Sequence, residues 1–245
     1  MSRRELLIHD YAVQYARLNP GLKSCLLPER TAASLQLMYG PLLAQLHAGS
    51  RILDLGCGAG VFLSWLRRWP GVIPVGVDGS ASQVAQARHN LPNIEITCAD
   101  GLSYLREHPN SFSGIFCTDV LEHLPSVDRC LEWIEVAQTA LVAGGFFFCR
   151  VPNAANLAAS YFRYIDLTHE RSFTSISLLQ LLETGGLRQC RTVPIRAAHL
   201  TGRLRIGLEA MLHRIVFRVC GNSAESLFTH DVCAIGYRDG QGRQV

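Results

Sequence analysis

RILDLGCGAG, residues 51–60, runs a short apolar strand from Arg51 to Leu55 straight into a loop carrying Gly56, Gly58 and Gly60. Glycine at these positions permits positive φ and lets a ligand approach the backbone closely. A helix through Val61, Phe62, Trp65 and Leu66 follows. Taken alone, a GxGxG loop of this kind serves simple packing as readily as ligand binding, so its meaning depends on what surrounds it.

Downstream, apolar runs of strand length alternate with helix-length segments, the pattern of repeated βαβ units and a mainly parallel sheet. Strands are expected at Ile73 to Val77, Ile94 to Cys98, Gly114 to Thr118 and Phe146 to Val151, with helices at 80–89 and 128–141. Ala143, Gly144 and Gly145 break the second of these helices, and Pro152 ends the fifth strand. A helix near 174–185 and strand candidates at 188–195 and 231–238 complete the expectation. The fold is α/β, a Rossmann-like seven-stranded sheet with helices on both faces. Upstream, residues 5–47 read as helical, with Pro28 and Pro41 starting or interrupting segments, so residues 1–49 form an N-terminal helical cap on a domain spanning 50–245.

Asp78 closes the second strand at a distance from the glycine loop that suits a carboxylate gripping ribose hydroxyls. A nicotinamide-dependent dehydrogenase would use the same acid. Asp54, however, stands just before the glycines, where a carboxylate disfavours a pyrophosphate and favours a ligand bearing an ammonium group.

LDLGCGAG, GVDGS at 76–80, CADG at 98–101 and FSGIFCTDVLEHL at 112–124 together resemble the successive motifs of class I S-adenosylmethionine-dependent methyltransferases. The resemblance covers roughly 50–152, and LLETGGL at 181–187 is similar to the family's helix and turn before its last strands. It implies S-adenosyl-L-methionine as cofactor. It further implies that Gly56, Cys57, Gly58 and Gly60 form the loop beside the methionine part with Asp54 next to them, and that Asp78 takes the ribose hydroxyls. Gly79 and Ser80 would flank the adenine, Asp100 and Gly101 would lie near its amino group, and Thr118 and Asp119 would line the amino-acid end. Read locally, Asp100 also suits a helix cap and Cys57 suits packing.

Methyl transfer to a hydroxyl needs an aligned acceptor and a route for its proton. Histidine accepts a proton near neutral pH, which singles out His123 in DVLEHL and His169 in YIDLTHERSFT. His123 reads first as structural. His169 lies in a polar segment, about 153–173, placed to close over an acceptor as an insertion on that side. Asp166 with His169 makes an incomplete ligand set, and no metal is expected. The segment DLTHERSFT followed by SLLQLLETGGL is similar to stretches in bacterial methyltransferases of sugars, polysaccharides and secondary metabolites. This resemblance implies O-methylation of a glycan, sugar intermediate or secondary metabolite. Quinone-type small-molecule methylation, N-methylation and a non-catalytic cofactor-binding subunit are the alternatives.

The chain's 245 residues, 48% hydrophobic and 18% charged, suit one α/β domain with a large core. A net charge of +3 is too small to imply nucleic acid as a partner. The nine cysteines form no CxxC pair, which fits a reducing cytoplasm, and neither a signal peptide nor an apolar run long enough to span a bilayer is read. An amphipathic helix at 203–219 carries Leu204, Leu208, Met211, Leu212, Ile215 and Val219 with arginines at 203, 205, 214 and 218. Its apolar face is expected to pack on the core or on a second copy as a homodimer. Peripheral contact with the inner membrane face, serving a lipid-linked acceptor, is the alternative.

Overall fold

The structure is a computed structural model and describes residues 27–221, 225 and 227–240, together with Leu7, Gln14 and Arg17. Its elements in chain order are α1 (Glu29–Leu43), β1 (Ser50–Leu55), α2 (Val61–Leu66), β2 (Val72–Asp78), α3 (Ala81–Asn90) and β3 (Glu95–Cys98). There follow α4 (Gly101–Glu107), β4 (Phe112–Thr118), a 3-10 turn (Leu121–His123), α5 (Val127–Ala140), β5 (Leu141–Pro152) and α6 (Ala159–Tyr164). The last are α7 (Ser175–Thr184), β6 (Arg188–Thr192), α8 (Leu200–Val219) and β7 (Asp231–Tyr237).

The seven strands form one sheet in the order β3-β2-β1-β4-β5-β7-β6. All pairings are parallel except those of β7, which runs antiparallel to both β5 and β6. Chain order reverses between β1 and β4, so the carboxyl ends of these two strands open a crevice, the usual place for a ligand in such sheets. The glycine loop leaves β1 at that point.

The central strands are buried on both faces, as parallel strands covered by helices must be. Along β4 and β5, Ile115, Cys117, Phe147, Cys149 and Val151 join the core under α4, α5 and α7, while Phe116, Phe146 and Phe148 face the opposite side. There Tyr39 of α1 packs edge-on against Phe116 and Phe148, with ring centroids 5.1 and 5.0 Å apart. Of the helical segment expected over 5–47, residues 29–43 form a helix on this side of the sheet, with Pro28 at its start and Pro41 inside its last turn. Its earlier part lies mostly outside the described residues.

Two boundaries differ from the sequence reading. β5 starts at Leu141 rather than Phe146, because α5 ends at Ala140 and Leu141 already has an extended ψ of 149°. Leu141 pairs with Phe112, the chain bulges at Gly144 (φ 74°) and Gly145, and pairing resumes at Gly114 and Phe146. The glycines make a bulge within a strand rather than ending a helix. β6 is also shorter than 188–195, an edge strand whose register shifts beside Gln189, a residue with φ of 51°.

α8 forms where expected, but its apolar face does not pack on the core of this chain. Leu204, Leu208, Met211, Leu212, Ile215 and Val219 are 50–82% exposed, whereas His213 on the inner side is 5% exposed. The inward face is held by polar contacts: His213 Nε2 accepts from the Leu157 amide at 2.8 Å, and the ring stacks on Phe228. No helix among the described residues is long and apolar enough to cross a membrane.

Candidate functional site

The glycine loop is held by backbone contacts. Gly56 and Cys57 donate their amides to the Val77 carbonyl at 2.8 and 3.0 Å, which ties the end of β1 to the end of β2. Gly56 has φ of 85°, and a Cβ there would stand 2.4 Å from Cγ2 of Val120. Both conformation and space exclude a side chain. Gly60 has φ of 84° and caps α2 instead of lining the cleft.

Asp78 pins this loop to the next one. One carboxylate oxygen accepts from the Gly58 amide at 2.9 Å and the other from the Ser80 amide at 2.7 Å. Ser80 is buried as the cap residue of α3, while Gly79 opens onto the cleft. Asp54, 2% exposed, lies behind the loop. Burial, reinforced by the nearby Asp78 charge, pushes its carboxyl up to about 8, with Arg150 opposing. Asp78 is also raised by burial, which its two amide donors partly offset. Cys57 is driven far above the usual thiol range by burial, so it is no thiolate.

Asp100 caps α4, accepting from the amide and hydroxyl of Ser103, both at 2.9 Å, and still lines the cleft. Gly101 is explained by packing, since a Cβ would stand 2.6 Å from the Trp133 ring. Trp133, absent from the sequence reading, lines the same end, and its buried indole N–H has no acceptor among the described residues. A buried donor without a partner is costly unless a ligand supplies one. Thr118 and Asp119 line the middle of the cleft. Asp119 has φ of 58°, and its carboxylate binds the Arg150 guanidinium through two hydrogen bonds.

At the far end stand His123, on the 3-10 turn, and His169, on the loop that follows α6, with ring centroids 4.8 Å apart. That loop is fastened to the turn. The amides of Glu170 and Arg171 donate to the Glu122 carbonyl, and Arg171 Nε donates to the Leu124 carbonyl. Thr168, whose hydroxyl donates to Asp166 at 2.7 Å, accepts from His123 Nδ1 at 2.8 Å. His169 Nδ1 donates to the Phe162 carbonyl at 3.0 Å. Both imidazoles thus carry their proton on Nδ1, leaving Nε2 as the basic nitrogen. Burial and the neighbouring His169 lower His123 to about 4, keeping it neutral.

Asp166 is buried behind Thr168 and serves as its acceptor. Glu122, which the sequence reading passed over, is 1% exposed and joins the two histidines, each of the three bringing a ligating atom within 4.8 Å of the others. One cavity of about 960 Å³ reaches from Asp54 and Gly58 through Asp119 to His123 and His169. Of the cofactor and catalytic candidates singled out in the sequence, Gly60 and Ser80 alone do not line it.

The residues at the glycine end fit the expected cofactor. The buried Asp54 carboxylate suits a cationic amino-acid portion, the half-buried Asp78 carboxylate suits ribose hydroxyls, and the Trp133 N–H, without an acceptor among the described residues, suits acceptor atoms of a nucleoside.

A family model described as "Methyltransferase domain" matches residues 29–190. The chain is 28% identical over 156 residues to a ubiquinone biosynthesis O-methyltransferase of Coxiella burnetii, covering 57% of this chain and 64% of that one. It is 36% identical over 98 residues to a trans-aconitate 2-methyltransferase of Azoarcus, covering 40% and 37%. The chain thus spans between about a third and just under two thirds of the curated relatives it matches. A SAM-dependent methyltransferase structure from Archaeoglobus fulgidus superposes with a TM-score of 0.67 at 21% identity, covering 93% of this chain and all of that one. At that identity it speaks for the fold.

Proposed function

The chain belongs to the methyltransferase domain family, and on that premise we propose that it moves a methyl group from S-adenosylmethionine to an oxygen of a small-molecule acceptor. The observation that carries this reading is the single cavity joining Asp54, Asp78 and the glycine loop to the imidazole pair. S-adenosylmethionine, when bound, supplies a methyl group on a sulfonium, an electrophile needing no further activation. The protein's own task is then alignment and removal of the acceptor proton.

Asp78 and the loop amides hold the donor end, with Asp78 free to accept from ribose hydroxyls through its remaining lone pairs. Asp54 meets the cationic amino-acid portion. At the other end the Nε2 atoms of His123 and His169 face the acceptor oxygen, and His169 is the residue we assign to handling its proton. An oxygen acceptor is supported by the relative named as an O-methyltransferase. A glycan, sugar intermediate or quinone-type phenol would each supply such an oxygen.

Calorimetric titration with S-adenosylmethionine, S-adenosylhomocysteine and NAD tests the donor. The two adenosyl ligands should bind and NAD should not; binding of NAD alone would overturn the reading. A panel of hydroxylated and aminated acceptors with labelled donor tests the oxygen, and label found only on nitrogen would overturn that assignment.

A further inference from the structure

Glu122, His123 and His169 meet at the acceptor end of the cleft in a form that a proton-handling role alone does not require. We propose that these three side chains bind one divalent first-row transition cation, leaving open coordination positions toward the cleft for oxygens of the acceptor. This deepens the reading above and rests on it: with its Nε2 bound to the cation, His169 would act on the acceptor proton through the ion, which acidifies a coordinated hydroxyl, and not by accepting the proton itself.

Three observations converge. First, both imidazoles are oriented from behind. His123 Nδ1 donates to Thr168, itself tied to Asp166, and His169 Nδ1 donates to the Phe162 carbonyl. Histidines that bind a metal through one nitrogen characteristically donate the other N–H to an oxygen in this way, which fixes tautomer and ring orientation. Second, Glu122 is buried, lines the cleft, and has a carboxylate oxygen, Oε2, without a hydrogen-bond partner among the described residues. Buried carboxylates are ordinarily paired or bound to a metal. Third, the three candidate ligand atoms lie within 4.8 Å of one another, so a small closure brings them around one ion.

The donor set names the class of ion. Two imidazoles and one carboxylate suit zinc, manganese, iron or cobalt, whereas magnesium and calcium prefer all-oxygen sites. Three protein ligands with further positions open is the arrangement of a site that binds a substrate rather than one that only braces a fold. The loop contacts agree with this. Glu170 and Arg171 donate to the Glu122 carbonyl, so the segment that supplies His169 is fastened to the turn that supplies the other two ligands.

The test is direct titration of the chelator-treated full chain with Zn(II), Mn(II) and Mg(II) by calorimetry, with metal content read separately by mass spectrometry. One Zn(II) per chain is expected, with Mn(II) weaker and Mg(II) weaker still. His169→Ala and Glu122→Gln should each abolish this site or weaken it at least a hundredfold, and Thr168→Val, which removes the support behind His123, about ten- to a hundredfold. S-adenosylhomocysteine is titrated into the same samples. Retained binding shows that each variant is folded and keeps the two ideas separate. If S-adenosylhomocysteine binds but no metal does, or if metal binding survives both His169→Ala and Glu122→Gln, the cation site is wrong while the methyltransfer reading stands. If metal binds as described but S-adenosylhomocysteine does not, the methyltransfer reading fails and the cation site remains.

Discussion

At the glycine end of the cleft, the contacts that shape the site join the ends of two adjacent strands through backbone amides, as between Gly58 and Asp78, 20 residues apart. At the histidine end they join side chains from separate segments, as between His123 and Thr168, 45 residues apart. The first end is fixed by strand geometry: once β1 and β2 pair, the loop amides and the Asp78 carboxylate are already within hydrogen-bonding range. The second depends on a connecting loop being fastened onto a 3-10 turn. A site made of backbone varies little without breaking the fold, while one made of loop side chains is free to change its ligand. On the proposed reading, the glycine end is therefore built for one cofactor and the histidine end for whichever acceptor is methylated.

His169→Ala should have the largest effect. Turnover should fall by about 10²- to 10⁴-fold, the usual contribution of a positioned proton-handling group. Affinity for S-adenosylhomocysteine, measured by calorimetry, should not change. A parallel loss of cofactor affinity would mean that the two ends are one coupled unit.

The reciprocal change is Asp78→Ala at the donor end. It removes the acceptor for the Gly58 and Ser80 amides together with the group assigned to the ribose. Hydrogen bonds to a charged group contribute roughly 1.5–3 kcal/mol, so cofactor affinity should drop about 10- to 150-fold. The acceptor's KM, measured at saturating cofactor, should stay the same. Unchanged cofactor affinity would remove Asp78 from the binding site.

The legibility of the two ends in the sequence follows from the same difference. RILDLGCGAG and Asp78 were readable because strand, loop and acid recur at fixed spacing in a parallel sheet. The apolar run that begins at Phe146, Phe147 and Phe148 likewise marked a buried strand, although the bulge at Gly144 hid its first residues. His123 and His169 were found by residue type, but Glu122 was not, because nothing local distinguishes a buried glutamate on a short turn from a solvated one. Asp166, weighed in the sequence as part of an incomplete ligand set, is buried and accepts from the Thr168 hydroxyl. Trp133 sits in α5 among other apolar residues, and only its N–H, without an acceptor among the described residues, sets it apart. The direction of α8 was illegible for a related reason. Periodicity locates an apolar face, but the inward face is chosen by contacts such as His213 with Leu157, which no periodicity reveals.

The smallest effect is the dependence of donor binding on pH. Without ligand, Asp54 keeps its proton up to about 8 because burial and the Asp78 charge outweigh the opposing Arg150. In an unfolded chain the same carboxyl ionises near 4. Stability of the ligand-free protein should therefore decline as pH rises from about 4 toward 8, where the folded state holds a proton that the unfolded state has lost. A cationic ligand beside Asp54 favours the ionised form, so binding below pH 8 must expel that proton. Affinity for S-adenosylhomocysteine should then rise with pH by at most about tenfold per unit and level off above 8. Calorimetry in buffers of different ionisation enthalpy at pH 6.5 should register the released proton, and Asp54→Asn should abolish it. A flat affinity with no proton released would place the ligand's ammonium away from Asp54, and the carboxyl would then serve only to shape the loop behind the glycines.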